Sequence, residues 1–272
     1  MSETAKMIAG GAPGAGEQMH TEASEASFST GLDYEHALDE TDRFSTGIVR
    51  LSDFVRTPSK RWMRASALLT IADIVVGSNL VYNTSPAVPL TVDMQAHLLN
   101  PHVEDELVIE SSIKKIGRKI SYGETLFRLP GSGKLAGLVS SVFAITPNPN
   151  AYVGELHRSG GSPGHIDRDL LAYCEIRQPR PGVAEVDRAP GRGNSTGSLQ
   201  GGLVTLIAEA AAESLTGNEA IDVDVKFLRS VQVGPGLATA TQVSPDTVRV
   251  EVTDSGAENR LCALVVIRQE QS

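Results

Sequence analysis

The stretch SALLTIADIVVGSNLVYN, residues 66 to 83, is apolar almost all the way round. Drawn as a helix it leaves no polar stripe to face water, so the rest of the chain must enclose it. One carboxylate, Asp73, stands in its middle, where an ionised group is costly unless paired or hydrogen-bonded. A second run of the same kind, LVTLIAEAAAESLTG at 203 to 217, carries Glu209 and Glu213 and ends at Gly217, a residue suited to a helix C-cap. Of its two acids, Glu213 lies near the helix end and is expected to be solvated.

Strand-like segments follow each run. After the first come VPLTVDMQAHL (88–98), ELVIESSIKKIG (106–117), KISYGETLFRL (119–129) and KLAGLVSSVFAI (134–145), broken by turn residues. After the second come AIDVDVKFLRSV (220–231), LATATQVS (237–244), TVRVEVTD (247–254) and RLCALVVIRQ (260–269). TGIVRLSDFV (46–55) and GVAEVDRA (182–189) read as strands before each helix, and LDYEHALDETDRF (32–44) as a short entry helix. Each half therefore reads as strand, long buried helix, then four antiparallel strands. A sheet curled about one central helix meets the need for enclosure. Residues 1–30, rich in Gly, Ala, Ser and Glu, are expected to form a disordered tail. The remaining divisions are a domain at 31–148, a Pro- and Gly-rich linker at 149–168 and a second domain at 169–272.

The halves can be laid on each other. Asp73 against Glu209 is an offset of 136, and HLLNPHVEDEL (97–107) against FLRSVQVGPGL (227–237) is an offset of 130. A shorter helix-to-strand loop in the second half takes up the difference. A repeat of about 100 residues is too long for a solenoid unit and reads as two copies of one domain fused into a pseudo-dimer.

A net charge of −9 argues against nucleic acid as a partner, because a phosphate backbone needs a basic face. It leaves room for a phosphate-bearing small ligand, which needs only a few local cations. Cys174 and Cys262 are the only cysteines and lack CxxC spacing. The histidines are scattered, so no metal site is expected. The N-terminus lacks the basic-then-apolar order of a signal peptide, and no apolar run reaches the ~18 residues of a membrane span. A cytoplasmic protein without a membrane span is expected.

The segment NSTGSLQGGLVTLIAEAAA (194–212) resembles the N-x5-HGG-x6-(D/E) signature of hotdog-fold acyl-CoA thioesterases of the PaaI type. TVDMQAHLLNPHVEDELVIESSIKKIGRKISYGETLF (91–127) is similar to the strand region of that family, especially the human thioesterase superfamily member 2 type. The resemblance covers roughly 45–148 and 172–270 and implies an α+β double hotdog. That fold has two antiparallel sheets each wrapping a long central helix, and here they are expected to join edge to edge into one long sheet. The family pattern maps onto Asn194, Gly201, Gly202 and Glu209, with Gln200 in place of the usual His. In the first half the same spacings give Pro58, Ala65 and Asp73, with Arg64, Ala65 and Ser66 where HGG would stand. The strand hydroxyl eighteen residues after the acid falls on Thr91, and its repeat partner is Ile221.

In such dimers one unit supplies the loop and helix N-terminus and the other supplies the acid. The resemblance thus implies one composite site of Asn194, Gln200, Gly201, Gly202, Asp73 and Thr91, and a degenerate one of Pro58, Ala65, Glu209 and Ile221. The chemistry suits thioester hydrolysis. Unpaired N–H groups at a helix N-terminus can stabilise the oxygen that gains charge on attack, and Gly201 lets a substrate approach that backbone. Asp73 can attack the carbonyl or activate water, Thr91 can hold that water, and Asn194 can brace the loop or bond the thioester end. The basic turn Lys114, Lys115, Gly117, Arg118 and Lys119 stands where related enzymes pass the pantetheine and phosphates; as a bare sequence it is equally a solvated hairpin.

An acyl-CoA hydrolase is therefore expected, needing no cofactor beyond the coenzyme A of its substrate, with a further dimer of pseudo-dimers as an available assembly. Two rivals stand beside it. A non-catalytic acyl-CoA-binding module fits the exchange of His for Gln200 and the altered first-half loop. A hydratase or dehydratase normally needs an Asp/His pair, for which no His stands at a matching position.

Overall fold

The structure, a computed structural model, describes residues 28–38, 43–101, 105–147, 166, 168–189, 191–194 and 197–271. Twelve strands form one antiparallel sheet. In chain order they are β1 (Tyr34–Leu38), β2 (Phe44–Arg50), β3 (Val88–Leu98), β4 (Glu106–Lys115), β5 (Ile120–Arg128) and β6 (Leu135–Thr146). The later strands are β7 (Arg177–Arg180), β8 (Val183–Val186), β9 (Ala220–Phe227), β10 (Gly236–Ser244), β11 (Thr247–Asp254) and β12 (Arg260–Gln269). Among the described residues, three α-helices accompany them: α1 (Ala65–Thr84), α2 (Leu170–Tyr173) and α3 (Gly201–Thr216).

The strand order is β1-β2-β4-β5-β6-β3-β9-β12-β11-β10-β8-β7. The expectation of two sheets thus resolves into one continuous sheet, because β3 and β9 pair directly from Asp93↔Lys226 to His97↔Asp222. Six consecutive strands come from the chain before residue 147 and six from the chain after 176. Charges reinforce the seam: Lys226 Nζ lies 2.5 Å from Asp93 and 2.7 Å from Asp224, and His97 Nδ1 lies 2.8 Å from Asp222.

The strands alternate as a sheet with one covered face requires. In β4, Leu107, Ile109, Ser111 and Ile113 are buried and their neighbours are not. α1 packs on the first set of strands and α3 on the second, and the two helices meet each other. α3 ends at Gly217, whose φ of 76° is the left-handed geometry expected of a glycine cap.

Some local expectations fail for identifiable reasons. The LDYEHALDETDRF segment contains a strand where a helix was expected: Tyr34 and His36 face inward, Glu35 and Ala37 outward, and the period of two wins. Phe28, assigned to the tail, is 1 % exposed and belongs to the core. Residues 1–27 of that tail and most of the linker (149–165 and 167) lie outside the described residues. α1, at 20 residues, is long and apolar enough to cross a bilayer, against the expectation that no run reaches that measure. Its apolar surface is instead taken up by strands and by α3.

Close approach between α1 and the sheet depends on small residues. A methyl group on Gly123 would come within 2.3 Å of Val76 Cγ1, and one on Gly137 within 3.1 Å of Leu68 Cδ1. Gly123→Ala is therefore expected to destabilise the protein by ~1–3 kcal/mol through overpacking, read as a lower midpoint in urea unfolding. An unchanged midpoint would show that α1 moves freely over β5.

Candidate active site

The two acids that the repeat aligns have opposite surroundings. Asp73 is half-buried on α1, and its Oδ1 accepts a hydrogen bond from Thr91 Oγ1 at 2.6 Å. Thr91 reaches it from β3, just before a register shift between Thr91 and Asp93. The hydroxyl expected to hold a water thus donates to the acid itself. Burial pushes the Asp73 carboxyl up to about 6, and the bond from Thr91 offsets part of that rise.

Glu209 on α3 is completely buried. Its carboxylate accepts from Ala65 N at 3.2 Å, Ser66 N at 3.3 Å and Ser66 Oγ at 2.5 Å. It therefore caps the N-terminus of α1, which has no cap of its own since Arg64 at that position makes no capping bond. Arg64, 3 % exposed, approaches Glu209 at 4.0 Å and binds Glu213 at 3.0 Å. Glu213, expected in solvent, is 11 % exposed and held in this cluster. Burial pushes its carboxyl up, as does Glu209, while Arg64 pulls it down; the net result is a rise to about 7. Burial alone would lower Arg64, but Glu213 and Glu209 outweigh it and hold the guanidinium protonated.

The N-terminus of α3 is arranged differently. Gln200 at the N-cap makes no capping bond, and among the described residues no acceptor meets the N–H groups of Gly201 or Gly202. A methyl group on Gly202 would overlap Thr70 Oγ1 at 2.0 Å and the Phe28 ring at 2.5 Å. Thr70 is one helical turn before Asp73 on α1. A methyl on Gly201 would stand 3.3 Å from the Phe227 ring. Phe227 follows Lys226, and Thr91 precedes Asp93, across the same paired position of the β3–β9 seam. The structure thus joins Asp73 to Thr91 directly and sets Gly202 against Thr70 and Gly201 against Phe227.

Asn194 is exposed. Its Oδ1 accepts from Ser198 N at 3.2 Å and Ser198 Oγ at 3.4 Å, and its backbone bonds Ser198 again at 2.8 Å, so it braces the loop before α3. Lys115, Arg118 and Lys119 are exposed around Gly117 at the β4–β5 turn. Thr91 pairs with Phe143 and Phe143 with Ser121, which puts this turn at the same end of the sheet as Thr91, two to three strands away. At normal strand spacing that is roughly 10–14 Å. Sequence reasoning missed Arg64, Ser66 and Glu213 as a linked group. The spacing that places Arg64 opposite Gln200 was the available signal.

No family model matches the chain, and no curated protein matches it. Solved structures do. An acyl-ACP thioesterase from Bacteroides thetaiotaomicron aligns over 86 % of this chain and 100 % of its own, with TM-score 0.60 and 12 % identity. A 12:0-ACP thioesterase from Umbellularia californica aligns over 84 % and 94 %, with TM-score 0.59 and 10 % identity. A conserved protein of unknown function with a hot dog fold from Alicyclobacillus acidocaldarius aligns over 90 % and 97 %, with TM-score 0.53 and 11 % identity. The chain thus has the hotdog fold in one large antiparallel sheet, shared with thioesterases at low sequence identity.

A raised carboxyl makes stability depend on pH in a defined direction. Below about pH 4, Asp73 is protonated in both the folded and unfolded chain and the shift has no effect. As pH rises past 4 the unfolded acid ionises first, so stability falls until about 6 and is then level. Asp73→Asn should therefore stabilise the protein by ~1–3 kcal/mol at pH 8 and by about zero at pH 4, measured by denaturant unfolding. A variant less stable than wild type at pH 8 would contradict this.

Proposed function

We propose that the protein is an acyl-CoA thioesterase of two tandem hotdog units, hydrolysing the thioester to a free acid and coenzyme A at one composite site. The observation that carries the proposal is the asymmetry between the helix ends. The N-terminus of α1 is filled by Glu209, whereas that of α3 has no side-chain cap among the described residues and lies against Thr70, one turn before the half-buried Asp73.

In this reading the thioester carbonyl lies against the N–H groups of Gly201 and Gly202, which stabilise the oxygen as it gains charge. Gln200 and Asn194 shape that loop. Asp73, ionised above about pH 6, takes a proton from an attacking water or attacks the carbonyl itself. Thr91 holds the carboxylate in place and keeps it ionised at neutral pH. Gly117, Arg118, Lys119 and Lys115 receive the coenzyme's phosphates. Glu209 has no part in the reaction because its oxygens are committed to α1. Two free, buried cysteines, Cys174 and Cys262, accord with a reducing cytoplasmic setting.

An acyl carrier protein in place of coenzyme A is the second reading, favoured by the two structural neighbours named as ACP thioesterases. Both carriers present a thioester on a phosphate-bearing arm, so the same site serves either.

The test is thiol release from acyl-CoA and acyl-ACP of several chain lengths. Wild type should turn over, Asp73→Asn should lose at least ~100-fold, and Glu209→Gln should keep activity per folded molecule while unfolding more easily. The kcat/KM profile should lose activity as pH falls through about 6. Thr91→Val, which removes the bond that lowers the acid's pKa, should move that limb upward. Release of thiol by Asp73→Asn at the wild-type rate would sink the assignment, and stable binding without release would favour a binding module.

A further inference from the structure

Glycine inside a helix costs stability relative to alanine, so an interior glycine calls for a reason. The two usual reasons are absent at Gly77 of α1. Its backbone is ordinary right-handed helix, with no positive φ to favour glycine. Nor does a neighbour press on it: a methyl group there would meet only Phe143 Cε1, at 3.8 Å, an ordinary contact. Gly123 and Gly202 contrast with it, since an added methyl would lie 2.3 Å from Val76 and 2.0 Å from Thr70. Gly77 thus keeps a side chain's worth of space open between α1 and the sheet.

That space lies one turn beyond Asp73. Thr70, Asp73, Gly77 and Val81 follow at steps of three and four along one side of α1. Asp73, Gly77 and Val81 are half-buried, whereas Val75, Val76 and Leu80 between them are closed off from solvent. The facing wall is Phe143 of β6, which pairs across the sheet with Thr91, the hydrogen-bond partner of Asp73. Phe143 packs with Val76, Leu80 and Ile113 in a small cluster apart from the main core. Such a wall offers no partner to the amides of a carrier arm and suits a hydrocarbon chain. Gly202, at the start of α3, meets Thr70 on the other side of Asp73. A thioester carbonyl held at that helix end therefore has Asp73 next along α1 and Gly77 after it.

We propose that Gly77 keeps open the path of the acyl chain and thereby sets which acyl groups the site accepts. The chain lies between α1 and Phe143, from Asp73 past Gly77 toward Val81, a span of roughly 12 Å along the helix. That span suits a linear acyl group of medium length. The inference rests on the thioesterase reading for the identity of the ligand, while the space itself belongs to the fold.

Full-length wild type, Gly77→Ala and Gly77→Leu are compared on acetyl-, hexanoyl- and decanoyl-CoA and in urea unfolding. Gly77→Ala should raise the urea midpoint, because no close contact opposes the gain in helix propensity. The kcat/KM ratio of decanoyl- to acetyl-CoA should fall severalfold in Gly77→Ala and ~100-fold in Gly77→Leu. Binding is read by calorimetry in an Asp73→Asn background, free of turnover. Decanoyl-CoA should bind at least ~10-fold tighter than coenzyme A there, and adding Gly77→Leu should erase the difference. If wild type releases no thiol while that difference and its loss are both seen, the hydrolysis reading fails and the acyl path stands. An equal fall in kcat/KM for every chain length, no binding difference, or one that survives Gly77→Leu would overturn the proposal. Loss of affinity for coenzyme A itself would give the space to the carrier arm and overturn it as well. A lower urea midpoint for Gly77→Ala would do the same, by showing that packing requires the glycine.

Discussion

The first N–H groups of a helix buried in protein must find acceptors, and the helix that begins at Ala65 finds them in another part of the chain. Glu209, contributed by α3, answers Ala65 and Ser66 together. Much of the contact between the two halves gathers around that bond. Arg64 is drawn in to balance the buried charge and brings Glu213 with it. Just outside, Glu219 accepts from Thr57 and Ser59, and Glu270 holds Arg61 and Trp62. Removing one partner of such a network typically costs several kcal/mol because the remaining charge is stranded. The loop before α1 is thereby tied to the other half of the chain.

Asp73 represents the opposite use of a carboxylate. It has one hydrogen bond where Glu209 has three, and burial raises its proton affinity. A group kept under-solvated in this way lowers stability at neutral pH and gains basicity, a combination common at reactive sites. Carboxylates at corresponding places in two helices are thus held in unlike ways, by three hydrogen bonds in one and by a single one in the other. The difference is set by what each acid can reach.

Much of this was legible in the sequence. The all-round apolar runs located both helices, and alternation located β3, β5 and β11 to within a residue or two, because burial on one sheet face writes itself as a period of two. β1 was misread because Glu35 and His36 break up the apolar signal, although only His36 turns inward. β7, RQPR, escaped notice because an edge strand with every residue exposed has no pattern to detect. Asp73 and Thr91 were linked only through the resemblance to a known family, which set the hydroxyl on a water and not on the acid it bonds. Arg64 with Glu213 was not foreseen: they stand 149 residues apart, and no local rule turns a glutamate near a helix end into a buried partner. Phe28 was hidden by its polar neighbours, and its place over Gly202 emerges only when the chain folds back.

One feature of the chain governs how it can change. In a symmetric homodimer every substitution appears twice, so an acid that seals one cleft seals its twin as well. Here the two aligned acids are separate positions in a single polypeptide, and so are the two helix starts. A change that hardens the seam at Glu209 leaves Asp73 untouched, and a change at Asp73 leaves the bonds of Glu209 in place. Correspondence without identity lets the surroundings of each acid be tuned by different mutations.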